Sequence, residues 1–131
     1  MHNSIFNLYI YVVVPDAPAD IKTVGASSTS IMVSWLPPVR RNGVITSYAL
    51  FVQRVNKGEA SIRRVHLNAD TTHYLIRNLN EGEPYVFWVK ASTSAGEGKR
   101  IVSRRRTPRR KGEEILTDFL AREEFDGKFK N

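Results

Sequence analysis

Apolar and polar positions alternate along most of this chain, and turn-forming residues interrupt the alternation at short intervals. Tyr85, Phe87, Val89 and Ala91 alternate with Val86, Trp88 and Lys90. That period of two predicts a strand over 85–91 with one buried face. Ile31, Val33 and Trp35 alternate with Met32 and Ser34 in the same way, and Pro37-Pro38 ends that strand because proline cannot donate to a ladder. In a strand over 46–55, Tyr48, Leu50 and Val52 share one face and Ala49, Phe51 and Gln53 the other. Four weaker strands are predicted over 20–26, 61–67, 73–77 and 100–106. The one over 61–67 carries Arg63, Arg64 and His66, charges of the sort that protect a sheet edge. Turns are read at Ser27-Ser28-Thr29, Arg40-Arg41-Asn42-Gly43, Lys57-Gly58-Glu59 and Asn68-Ala69-Asp70, and a glycine-bearing loop over 93–98. Seven short strands spaced by turns, at roughly 8–12 residues, predict an all-β sandwich.

The entry to the strand over 85–91 has its own signature. Leu79 precedes a bend at Gly82 and Pro84, and Tyr85 follows it. A tyrosine just inside such a strand resembles the tyrosine corner of Greek-key sandwiches, whose phenol bonds back to corner backbone.

The flanks read differently. Residues 5–14 are almost continuously apolar, too short for a bilayer span, which needs about 20 such residues. Their length suits a signal-peptide core, but no Lys or Arg precedes them and Pro18 sits badly for cleavage. The plainer reading is an apolar extension over 1–14. Beyond Pro108, a basic linker leads to Glu113 and Glu114, then to a helical stripe of Ile115, Leu116, Phe119 and Leu120. A short amphipathic helix over 113–124, outside the sandwich, is expected. The domain is therefore placed at 15–108 and the tail at 109–131.

Composition adds two constraints. There is no cysteine, so neither a disulfide nor a thiolate metal site contributes. Lys plus Arg number 20 against 13 for Asp plus Glu, a net charge of +7 that favours acidic partners and leaves the fold open.

In order along the chain stand Pro15-Asp16-Ala17-Pro18, Trp35 before Pro37-Pro38, Asn42-Gly43-Val44-Ile45 before Tyr48, Leu79 before Tyr85, and Gly96-x-Gly98 before Thr107-Pro108. Together they resemble a fibronectin type III domain. The segments 42–48 and 87–98 are similar to domains of Down syndrome cell adhesion molecule (Dscam-like) receptors. The resemblance implies an immunoglobulin-like, seven-stranded Greek-key β-sandwich, with the first, second and fifth strands packed against the other four. It implies a core of Trp35, Tyr48, Leu50, Leu79, Tyr85, Phe87 and Val89. It also implies a non-enzymatic module of a neuronal surface receptor acting in homophilic adhesion and axon guidance, with neighbouring repeats or a second receptor copy as partners. The expected location is the cell surface, as part of a larger membrane receptor. Three features depart from the family. Neither flank resembles a second repeat, no transmembrane segment is evident, and the last strand is basic enough that at least one of Arg104, Arg105 and Arg106 must point inward and snorkel at the rim.

No catalytic residue, cofactor or metal is expected. The His residues at 2, 66 and 73 have no metal-ligand spacing, and no Ser sits on a nucleophile turn. Gly96-x-Gly98 lies between strands, so it is not a phosphate loop, and it carries no Arg-Gly-Asp. Two candidate surfaces remain. Arg104, Arg105, Arg106, Arg109, Arg110 and Lys111 form a candidate anion-binding run, for heparan sulfate or nucleic acid, against the plainer reading of a solvated strand end. Phe51 and Trp88, both outward by alternation, form a candidate protein contact unless arginine stems cover them. An intracellular muscle-type repeat is the remaining alternative.

Overall fold

The computed structural model describes residues 14–109. Seven strands make up its regular structure: β1 (Ala19–Ser27), β2 (Ser30–Leu36), β3 (Ser47–Arg54), β4 (Arg63–Asn68), β5 (His73–Ile76), β6 (Pro84–Thr93) and β7 (Gly96–Arg106). They form two sheets, ordered β1-β2-β5 and β4-β3-β6-β7, with every pairing antiparallel. This is the expected division of strands. The predicted tail helix and the segment 1–13 lie outside the described residues.

The period-two strands hold because each pays for one buried face with hydrophobic transfer, roughly 1.5–3 kcal/mol per large side chain. Ile31, Val33 and Trp35 from β2 meet Tyr48, Leu50 and Val52 from β3 and Tyr85, Phe87 and Val89 from β6. All seven expected core residues belong to this cluster. Trp35 and Tyr48 touch edge to face across the sheets, with ring centroids 5.6 Å apart.

Two boundaries differ from expectation. The loop read over 93–98 is a tight turn at Ser94-Ala95, and β7 starts at Gly96, with Thr93 opposite Gly96 and Ser92 opposite Glu97. The Thr93 hydroxyl accepts a hydrogen bond from the Ala95 N–H and closes the turn locally. The turn at 57–59 runs on through a short 3-10 segment, Glu59–Ser61, which delays β4 to Arg63. Ser61 and Ile62 N–H groups bond to the carbonyls of Gly58 and Glu59 and so are unavailable to the sheet.

β7 also defines where the chain enters and leaves. At its start, the Lys99 N–H bonds to the Pro15 carbonyl, and a Cβ at Gly98 would collide with that same carbonyl. Glycine is needed at 98 for the entering chain to lie this close. At its end, Thr107 is buried against the corner before β6.

Candidate functional site

Three local arrangements carry the chemistry of the surface. The first is the corner. The Tyr85 hydroxyl accepts a hydrogen bond from the Asn80 N–H at 2.8 Å, which is the bond expected of a tyrosine corner. Leu79 is buried beneath it. Gly82 turns the chain with φ 64°, in the left-handed region that favours glycine. The exit strand is pinned to this corner. The Thr107 hydroxyl donates to the Asn80 carbonyl at 2.6 Å and accepts from the Glu83 N–H at 2.9 Å. The Thr107 N–H bonds to the Glu83 carbonyl, and Arg106 Nη1 donates to the Gly82 carbonyl. In the sequence Thr107 stands out only within the Thr107-Pro108 motif; its contacts are set by residues far away in the chain and leave no local signal.

The second arrangement lies on the outer face of the four-stranded sheet. Phe51 and Trp88 are register partners and both point away from the core, as alternation requires. Their rings stack with centroids 5.2 Å apart and planes 6° from parallel. The pair is closed over by cations. The Arg64 guanidinium lies 4.9 Å from the Phe51 centroid, Lys90 Nζ lies 5.5 Å from it, and the Arg100 guanidinium lies 5.3 Å from the Trp88 centroid. Trp88 is consequently only 8% exposed although it lies outside the core cluster. Trp88 is nearly hidden and Phe51 half-buried, and the cations stand over both rings. Glu97 fastens that layer, with 2.6 Å to Arg64 and 3.5 Å to Lys90. The hydrogen bond from Arg64, aided by the charges of Arg64 and Lys90, outweighs partial desolvation and holds the Glu97 carboxyl below its usual range.

The third arrangement is the basic run, which the strand divides between two faces. Arg104 stands opposite Val86 and Arg106 opposite Pro84, on the outer side with Arg100 and Val102. Arg105 stands opposite Tyr85, on the inner side of the sheet. Its guanidinium leans along the edge of β1, within 3.7 Å of where a Gly25 side chain would begin. Arg105 is exposed overall, in keeping with the inward-facing arginine expected to snorkel at the rim. Arg109 packs against Gly82, and Arg110 and Lys111 lie outside the described residues. The contiguous run is thus not one surface: Arg100, Arg104 and Arg106 form a row, and Arg105 is excluded from it. The sequence marks Arg64 only as an edge charge and does not single out Lys90, Arg100 or Glu97 as cover for the aromatic pair. Alternation along β4 and β7 pointed to their sides, but only the register brings them over Phe51 and Trp88.

Among the described residues, no group of three or more His, Cys, Asp or Glu is placed to hold a metal ion. His66 and His73 are exposed and lie in different sheets. No helix among the described residues is long and apolar enough to cross a membrane.

A family model for the fibronectin type III domain matches residues 16–104. Cell adhesion molecule Dscam2 of Drosophila melanogaster is 47% identical over 87 residues, covering 66% of this chain and 4% of that protein. Human cell adhesion molecule DSCAML1 is 42% identical over 85 residues, covering 65% of this chain and again 4% of that protein. Among solved structures, the FN5 domain of Drosophila Lar superposes with a TM-score of 0.61 at 32% identity, covering 72% of this chain and 98% of that domain. The FN1–FN3 domains of chicken CNTN1 give 0.65 at 25% identity, covering 73% of this chain and 33% of that one. The chain belongs to the fibronectin type III family, and its domain is similar to those of the Dscam adhesion molecules.

Proposed function

We propose that this domain is a non-enzymatic spacer and contact module of a Dscam-like cell-surface receptor, working in homophilic adhesion and axon guidance. The observation that carries the reading is the placement of the two domain ends. Pro15 is fixed beside Gly98 at the start of β7, and Thr107 is clasped at its finish. The nine strand steps between 98 and 107 span about 30 Å at the usual rise per residue. Chain therefore enters at one end of the sandwich and leaves at the other. That arrangement suits end-to-end arrays, in which each repeat adds length and presents its faces sideways to a neighbouring repeat or a second copy. The likeness to cell adhesion molecules supports the same reading.

Bead aggregation tests the contact. Beads coated with the full chain should cluster with like beads and stay apart from beads carrying an unrelated sandwich. Beads that remain dispersed at every coating density would remove the homophilic part. Small-angle scattering from two copies joined in tandem tests the spacer. An elongated particle about twice as long as the single domain is expected, and a folded-back one would overturn that geometry.

A further inference from the structure

The outer face of the four-stranded sheet is strongly one-signed. Across it run Arg64 from β4, Lys90 from β6, and Arg100, Arg104 and Arg106 from β7, against one acid among the described strand residues of this face, Glu97. Glu97 is committed to Arg64 and Lys90. Among the described residues no carboxylate pairs with Arg100 or Arg104. β7 is the last strand of its sheet, and Arg100, Arg104 and Arg106 on its outer side are exposed. From Arg100 to Arg106 the row covers six strand steps, about 20 Å. Arg100 lies over Trp88, 5.3 Å from the ring centroid, a contact that favours the outward posture needed for binding.

We infer that the Arg100–Arg104–Arg106 row, with Arg64 and Lys90 beside it, is a docking strip for a sulfated glycan chain. Guanidinium groups engage tetrahedral oxyanions through paired N–H bonds, and a straight row matches a linear, repeatedly charged polymer. Nucleic acid fits less well. Binding of single strands draws on open aromatic faces for base stacking, and here both rings are already capped by cations. An acidic peptide fits less well too. Tight peptide docking needs a pocket for an apolar anchor, and in the arginine row the apolar residue is Val102, at 38% exposure. The choice of a glycan rests on the adhesion-module reading, since sulfated glycans are met at cell surfaces.

The test is fluorescence anisotropy with a labelled heparin dodecasaccharide and the full chain. Arg104→Glu should weaken binding at least tenfold, whereas Arg105→Glu, one residue along but on the other face, should change it less than threefold. Equal losses from the two would show that bulk charge in the run does the binding, and the strip would be discarded. Affinity should fall steeply as salt rises. A polyaspartate peptide or a thymidine oligonucleotide of equal charge should compete at least tenfold more weakly than unlabelled heparin; equal competition by either would overturn the choice of a sulfated glycan. Thermal melts of both variants should match the parent, and Arg104→Gln replaces Arg104→Glu if the latter does not fold. Bead aggregation is independent of these results: dispersed beads with intact heparin binding remove the homophilic contact alone, and clustering beads without heparin binding remove the strip alone.

Discussion

Phe87 and Trp88 are neighbours on β6, point to opposite sides and are both buried, yet different physics buries them. Phe87 is fully enclosed by the facing sheet. Its burial is an apolar transfer, which charge screening does not weaken. Trp88 has no facing sheet. Phe51 stacks on its ring, and the Arg100 guanidinium lies over it, 5.3 Å from the centroid. A side chain can thus be almost as hidden as the core without belonging to it, and what hides it is a layer of side chains that solvent and salt can reach.

That contrast can be broken from either side. Phe87→Ala should have the largest effect, about 3–5 kcal/mol in denaturant unfolding, because the enclosed site cannot collapse around the loss. Trp88→Ala should cost about 1.5–3 kcal/mol, since part of its surface regains water. A cost for Trp88→Ala equal to that for Phe87→Ala would mean that the cation layer packs as rigidly as a core. Tyr85→Phe keeps the inward ring and removes the two hydroxyl bonds to Asn80, one accepted from its N–H at 2.8 Å and one donated to its Oδ1 at 3.3 Å. A loss of about 1 kcal/mol is expected, because Asn80 is exposed and water can replace the phenol. An unchanged midpoint would separate the corner from stability altogether.

Smaller effects probe the outer layer. Arg100→Gln should lower stability by about 0.5–1 kcal/mol, the scale of an exposed cation–π contact, and high salt should shrink the difference. Glu97 gives the smallest expected effect and a definite sign. Its carboxyl sits below the ordinary value of 4.5 in the folded state, so its contribution is present above that value and is lost as pH falls through the lowered one. Solvent screening keeps the contribution small for so exposed a pair. Comparing acid melts of the parent and Glu97→Gln isolates it. A Glu97→Gln variant that loses more stability under acid than the parent would reverse the sign.

The strands and their inward residues were legible along the chain because alternation is a local property. Tyr48, Leu50, Tyr85, Phe87 and Val89 declare their side by their neighbours alone. The tyrosine corner was legible for the same reason, since Leu79, Gly82 and Tyr85 sit within one bend. Register is not local. Only the pairing of β3 with β4 and β6 puts Arg64 and Trp88 on either side of Phe51. Only the pairing of β6 with β7 sends Arg104 outward and Arg105 toward β1. A run of like charges along a chain shows how much charge there is. Which of those charges share a surface depends on the strand's two-residue alternation and on what stands opposite, and both come into force only when the sheet forms. The clasp of Thr107 on the carbonyls and amides of the corner is of the same kind: its partners lie 24 and 27 residues away and meet it only in the folded sandwich.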